Sequence, residues 1–222
     1  MISSRPMRDL FAWPIVTKED EAAVLAVLRR GAMSGTDVTK AFEKEFAAWI
    51  GTKHALGYCN GTESLRAAMW ACGVGAGDEV IAPSQTYWAS CTSALSLGAA
   101  VHFADCEPDT LCIAPKDIQH RIGPRTKVIM VVHYAGHPCD MDPILAMAKK
   151  HKVKVIEDVS HAHGTLYKGR MCGTMGESMR RVSSSTSRAT AWATGLASLR
   201  SSCRLSSSRI AAIAVLNCRR RP

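Results

Sequence analysis

The apolar positions of this chain switch between two periods. From Lys18 to Arg30 and from Thr39 to Ile50 they recur three and four residues apart, the spacing of amphipathic helices, with Phe42, Phe46 and Trp49 on one stripe of the second. Short apolar runs at about 54–58, 79–83, 100–104, 127–132 and 153–157 are bounded by turn residues and read as strands, those at 79–83 and 153–157 as buried ones. Helical stretches at about 62–73, 87–97, 115–121 and 142–151 separate them. Such alternation predicts an α/β fold, a mainly parallel sheet with helices on both faces. No Gly-x-Gly-x-x-Gly follows the first strand, so a dinucleotide-binding Rossmann domain is disfavoured.

The polar residues that matter sit where these strands end. Glu157-Asp158-Val159-Ser160-His161 follows the run Val153 to Ile156. A carboxylate there lies beyond the carboxyl edge of the sheet, where open α/β folds place ligands. Asp158 is suited to hold a proton on a heterocyclic nitrogen, as a pyridoxal phosphate enzyme requires, and His161 is within reach of the ring hydroxyl. Asp158 is equally able to cap the segment that follows it. Asn60-Gly61-Thr62-Glu63-Ser64 opens an apolar-periodic stretch, so it reads either as a phosphate-binding turn at a helix N-terminus or as an ordinary cap. Thr62 and Ser64 add hydroxyl donors. Tyr87 and Trp88 follow the strand at 79–83, placed to stack on a flat cofactor or to pack under the next helix.

Six segments together carry a resemblance. They are Asn60-Gly61-Thr62, Gly77 to Ser84, Thr86-Tyr87, Pro124-Arg125-Thr126-Lys127, His133 to Asp142, and Ile156-Glu157-Asp158 through His163-Gly164. In order and spacing the chain resembles the DegT/DnrJ/EryC1/StrS sugar aminotransferases, pyridoxal phosphate enzymes of fold type I, from about Phe11 to about Gly176. The resemblance implies part of a PLP-dependent transferase large domain with pyridoxal 5'-phosphate as cofactor. It implies that Gly61, Thr62 and Glu63 bracket the phosphate and that Tyr87 stacks on the ring. It also implies that Asp158 pairs with the pyridine nitrogen and that His161 lies near the ring hydroxyl. Glu63 departs from the small residue usual at its position, harmlessly if only its backbone N–H is used. The implied reaction moves an amino group from an amino acid, by resemblance glutamate, to a keto group on a nucleotide-linked sugar. The implied assembly is a homodimer in the complete family, whose members also carry further strands and a small C-terminal domain.

The resemblance stops after Gly173-Thr174-Met175-Gly176. Family members continue with an aromatic-and-serine strand, a Ser-x-x-Lys whose lysine forms the Schiff base, and a Gly-Glu-Gly-Gly segment. Here residues 178–222 hold 11 Ser, 9 Arg and no Lys, Asp or Glu. The last lysine is Lys168, in a Tyr167-Lys168-Gly169-Arg170 turn that reads as an exposed hairpin ahead of the catalytic position. The chain therefore divides into 1–177, the first part of the large domain, and 178–222, a tail expected to be out of frame and disordered. Translating the next reading frame beyond the codon for Glu177 is expected to recover the missing motif. The tail is expected to make no sheet pairing, which leaves the sheet with a raw edge.

Charge supports the same division. The chain carries +9 and the tail alone supplies it, so residues 1–177 balance 19 basic against 19 acidic side chains. The basic total is then no sign of a nucleic-acid partner or a membrane surface. Met1-Ile2-Ser3-Ser4-Arg5 lacks the apolar core of a secretory leader, and Ile210 to Leu216 is too short to span a bilayer. Nine cysteines without a Cys-x-x-Cys pair read as reduced, mostly buried thiols in a cytoplasmic protein. His133, His137, Cys139, Asp140, His161 and His163 match no standard zinc spacing, so no metal is expected.

Overall fold

A computed structural model describes residues 17–31 and 34–176, together with the backbone of 178–180, 186–193 and 212–219. Helix α1 (Lys18–Arg29) opens on a capping box in which Thr17 and Asp20 exchange side-chain and backbone bonds. Helix α2 (Asp37–Ile50) ends at Gly51, whose φ of 75° is the left-handed stop that glycine accepts without strain. Then come β1 (Leu56–Tyr58), α3 (Gly61–Ala71), β2 (Glu79–Pro83), α4 (Ala89–Leu95) and β3 (Ala100–Ala104). These are followed by α5 (Pro115–Arg121), β4 (Thr126–Val132), α6 (Met141–His151) and β5 (Lys154–Asp158). A small hairpin, β6 (Leu166–Tyr167) and β7 (Arg170–Met171), completes the fully described part.

Strands β5, β4, β2 and β3 lie side by side in that order and run parallel. The chain leaves β2 for β3 on one side and returns to β4 on the other. The crevice at such a reversal, outside the carboxyl ends of the strands, is where open sheets bind ligands. Period-two alternation sorts the strand side chains between two cores. Val80, Ala82, Val128, Met130 and Ile156 face Leu65, Ala68 and Met69 of α3 and Ala89 and Ala94 of α4. Ile81, Ile129, Val131 and Val155 face Phe42 and Phe46 of α2, Ile118 of α5 and Met141 and Ile144 of α6. Each of the larger of these side chains contributes roughly 1.5–3 kcal/mol by burial. A one-residue slip of any strand would exchange its two faces, so the register is strongly specified.

Two buried features tie the end of this body to β5. Glu157 is fully buried. Its carboxylate accepts from the backbone N–H groups of Gly173 (2.7 Å), Met175 (2.7 Å) and Gly176 (2.5 Å) and bonds His133 Nε2 at 3.2 Å. Gly176 passes so close to β5 that a Cβ would sit 2.7 Å from the Val155 carbonyl oxygen, so only glycine fits there.

The edge expected to be raw is paired. β9 (Thr186–Ala193) joins β5 in parallel, with Ala191 opposite Asp158. β10 (Ala212–Arg219) runs antiparallel to β9 and to β1, and β8 (Ser178–Arg180) runs antiparallel to β9. The expectation that the tail makes no sheet pairing is therefore corrected. The physical reason is that a ladder is built from backbone N–H and C=O groups, which every non-proline residue carries whatever its side chain. The expected disorder of the remaining tail residues lies outside the described residues, as does the N-terminal segment read as lacking a leader. No helix among the described residues is long and apolar enough to cross a membrane.

Candidate active site

The turn before α3 is both a cap and an open donor site. Asn60 Oδ1 accepts from the Glu63 N–H at 2.9 Å, and the Asn60 carbonyl accepts from the Ser64 N–H at 3.2 Å. The Ser64 hydroxyl is buried and donates to the Gly61 carbonyl at 2.9 Å. Of the first-turn amides, those of Gly61 and Thr62 have no partner among the described residues and stand at the positive end of the helix. Glu63 turns away. Its carboxylate pairs with the Arg66 guanidinium at 2.6 Å, and this hydrogen bond holds it below the usual carboxylate range.

Asp158 also serves two ends. It is the last residue of β5 and only 5% exposed. Oδ1 accepts from the Ser160 N–H at 3.0 Å and from the Ser160 hydroxyl, which is the capping role. Oδ2 receives one longer bond, 3.4 Å from Ser90 Oγ, and Ser90 in turn accepts from Thr86 Oγ1 at 2.9 Å. The carboxylate is thereby oriented with Oδ2 only lightly engaged.

His161 is fixed by a turn within the segment His133 to Asp142, which carried part of the resemblance but no site role. The Ala135 N–H donates to its Nδ1 at 3.3 Å, so the ring proton sits on Nε2. Ala135 has φ of 49° and Gly136 of 86°, and a Cβ on Gly136 would come within 3.2 Å of the His161 carbonyl oxygen. Left-handed alanine costs about 1–2 kcal/mol, a strain concentrated at this site. The Tyr134 ring meets the imidazole edge-on at 5.8 Å, and its hydroxyl accepts from Gln85 Nε2 at 3.1 Å.

These groups surround one cavity of about 570 Å³. Asn60, Gly61 and Thr62 form one wall, Gln85, Thr86 and Tyr87 a second, and Asp158, Ser160 and His161 a third, with Leu65, Ala89 and Val132 as apolar floor. Five of the six expected site residues, Gly61, Thr62, Tyr87, Asp158 and His161, thus line a single pocket. Glu63 does not. Tyr87 is 66% exposed and rests edge-on against Trp88, free on its other side. No lysine lines the cavity among the described residues. Lys168 is on the β6–β7 hairpin, with Nζ 2.6 Å from Asp142 Oδ2. The residues that went unread are Gln85, Ser90, Tyr134 and Ser160. Ser160 carried a signal, a hydroxyl two residues after a strand-end Asp, which is the spacing of an Asx turn. Tyr134 carried its place in the resembling segment His133 to Asp142, and Gln85 carried no signal beyond its place after a strand.

The pocket offers anion-binding amides at one end, a carboxylate at the other and an aromatic face between them. A model of the DegT/DnrJ/EryC1/StrS aminotransferase family matches residues 14–191, which extends the likeness past Gly176 into β9. The chain is 40% identical over 167 residues to the spore coat polysaccharide biosynthesis protein SpsC of Bacillus subtilis, a match covering 75% of this chain and 43% of that protein. It is 46% identical over 136 residues to the GDP-perosamine synthase of Caulobacter vibrioides, covering 61% and 37%. The solved aminotransferase of Psychrobacter cryohalolentis superposes with a TM-score of 0.79 at 34% identity, over 93% of this chain and 49% of that one. The chain thus spans about half the length, or less, of the relatives it matches. The family's members are pyridoxal phosphate-dependent aminotransferases, and their fold is the one described above. With its model matched from residue 14 to residue 191, this chain belongs to the DegT/DnrJ/EryC1/StrS aminotransferase family.

Proposed function

We propose that this chain carries the cofactor-holding face of a sugar aminotransferase and, as a chain of 222 residues, binds pyridoxal phosphate without turning over substrate. The observation that supports it best is the convergence of Gly61, Thr62, Tyr87, Asp158 and His161 on one cavity from three distant parts of the sequence. The residues fit the group. The Gly61 and Thr62 amides at the start of α3 hold its phosphate. Tyr87 would stack on the ring, Asp158 Oδ2 would hold the proton on the ring nitrogen, and the His161 Nε2–H would donate to the ring hydroxyl. Pyridoxal phosphate, when bound, withdraws electrons from the amino substrate's α-carbon; the chain's part is to orient it and keep its nitrogen protonated.

The reaction served is transfer of an amino group from an amino acid, glutamate, to a keto group on a nucleotide-linked sugar. The names of the polysaccharide-biosynthesis and perosamine relatives favour that substrate class. By lineage the complete enzyme is a cytoplasmic homodimer. Turnover by this chain is disfavoured by one fact, the absence of any lysine after Lys168. Phosphate competition tests the binding reading. Pyridoxal phosphate added to the chain should shift its absorption and inorganic phosphate should reverse the shift, because both anions compete for the Gly61 and Thr62 amides. Binding indifferent to phosphate would contradict the assigned orientation.

A further inference from the structure

Ser90, in the first turn of α4, is fully buried and bonds three residues that line the cofactor pocket, although it is not itself among the walls. Its N–H donates to the Tyr87 carbonyl at 3.1 Å. Its Oγ accepts from the Thr86 hydroxyl at 2.9 Å and donates its own single proton to Asp158 Oδ2 at 3.4 Å. The Thr86 hydroxyl has another acceptor, the Tyr87 carbonyl, but at 3.4 Å, so the shorter bond to Ser90 takes its proton.

We propose, resting on the cofactor reading above, that Ser90 is a positioning residue that aims Asp158 Oδ2 at the ring nitrogen without touching the cofactor. The last torsion of an aspartate side chain is broad, so a carboxylate held at one oxygen still turns. Ser160 holds only Oδ1, through its N–H at 3.0 Å and its hydroxyl. Ser90 holds Oδ2 from the other side and fixes the carboxylate plane. An ionised carboxylate oxygen has two lone-pair sites. Ser90 fills one on Oδ2 and leaves the other for the pocket.

Packing does not ask for a hydroxyl at this place. Ala89, Cys91 and Ala94 of the same helix are buried with Leu65, Ala68 and Met69, a setting that alanine would fill as well. A polar group in such surroundings is costly to bury unless it is bonded, and the bonds of Ser90 run to the pocket walls. They also set Tyr87 and Asp158 at one spacing. The Thr86 hydroxyl and the Tyr87 carbonyl are held by the same serine whose proton goes to Asp158, 68 residues along the chain. Groups fixed in this way before a ligand arrives lower the ordering cost of binding it.

The experiment uses the full chain, with pyridoxal 5'-phosphate as the probe and affinity read by calorimetry. The forms compared are the parent, Ser90→Ala, Asp158→Asn and the double variant. Alanine keeps the N–H bond to Tyr87 and deletes only the hydroxyl. Ser90→Ala should bind about fivefold more weakly than the parent. Added to Asp158→Asn, which has no charged oxygen to aim, the same change should cost less than about twofold. A role in packing alone would instead cost the same factor in both backgrounds. If Ser90→Ala does not fold, Thr86→Val takes its place, since it removes the donor that directs the Ser90 proton. It should then weaken binding about threefold in the parent and leave Asp158→Asn unchanged. Equal affinity of the parent and Ser90→Ala, or an equal loss in both backgrounds, overturns the proposal and leaves the cofactor reading standing. Equal affinity of the parent and Asp158→Asn overturns both.

Discussion

Glu157→Ala should remove on the order of 3–5 kcal/mol of folding stability, a large share of the roughly 5–15 kcal/mol that holds a typical domain. The reason is local and countable. The carboxylate is the shared acceptor for the backbone N–H groups of Gly173, Met175 and Gly176 and for the His133 ring. His133 Nδ1 already accepts from Cys139, so its proton is on Nε2 and points at Glu157. Alanine leaves four donors buried with nothing to accept them, and each such group costs about 1–3 kcal/mol. Glu157→Gln should be intermediate, because its Oε1 can still accept while its amide hydrogens oppose the remaining donors. Urea unfolding followed by circular dichroism measures both. A Glu157→Ala chain within about 1 kcal/mol of the parent would show that the buried carboxylate does not organise this corner.

The second large effect is an absence of turnover. With glutamate and a nucleotide-linked keto sugar, the chain should run at least a thousandfold below an ordinary enzyme rate of about 10 per second. The missing lysine would anchor the cofactor and carry the proton between substrate carbon and cofactor, and the loss of either role is severe. Lys168 does not substitute. It is on a hairpin bonded to Asp142, and that bond raises its affinity for its proton, the wrong direction for a nucleophilic amine. Product detected by mass at a rate inside that thousandfold margin would refute the reading.

How legible all this was depends on what each residue's role requires. The strands at 79–83 and 100–104 were readable to the residue. The first is fully buried and so must be an apolar run. The second, an edge strand with only Ala104 buried, was marked by the turns that bound it. The dual nature of Asn60 and Asp158 was readable only as a choice between capping and ligand binding. The structure shows capping done by one oxygen or one amide set while others remain for the pocket. Tyr134 escaped because its position depends on the left-handed Ala135, a conformation that sequence does not announce for alanine. Glu63 was placed by resemblance alone, and its pairing with Arg66 three residues on is a helix-surface contact that the spacing allowed. The tail's strands were missed for a different reason. Composition reports what a segment buries, whereas β-pairing at a sheet edge asks only for backbone.

The central claim is that Asp158 meets the ring nitrogen of pyridoxal phosphate in the pocket beyond β5. The most direct measurement is the affinity of the chain for pyridoxal phosphate, by calorimetry, in the parent, in Asp158→Asn and in Lys168→Met. Loss of a charge-assisted bond of about 1.5–3 kcal/mol predicts that Asp158→Asn binds roughly 10- to 100-fold more weakly. Lys168→Met should match the parent, since the hairpin lies outside the pocket. Equal affinity in the parent and Asp158→Asn, or binding that disappears with Lys168, would contradict the account.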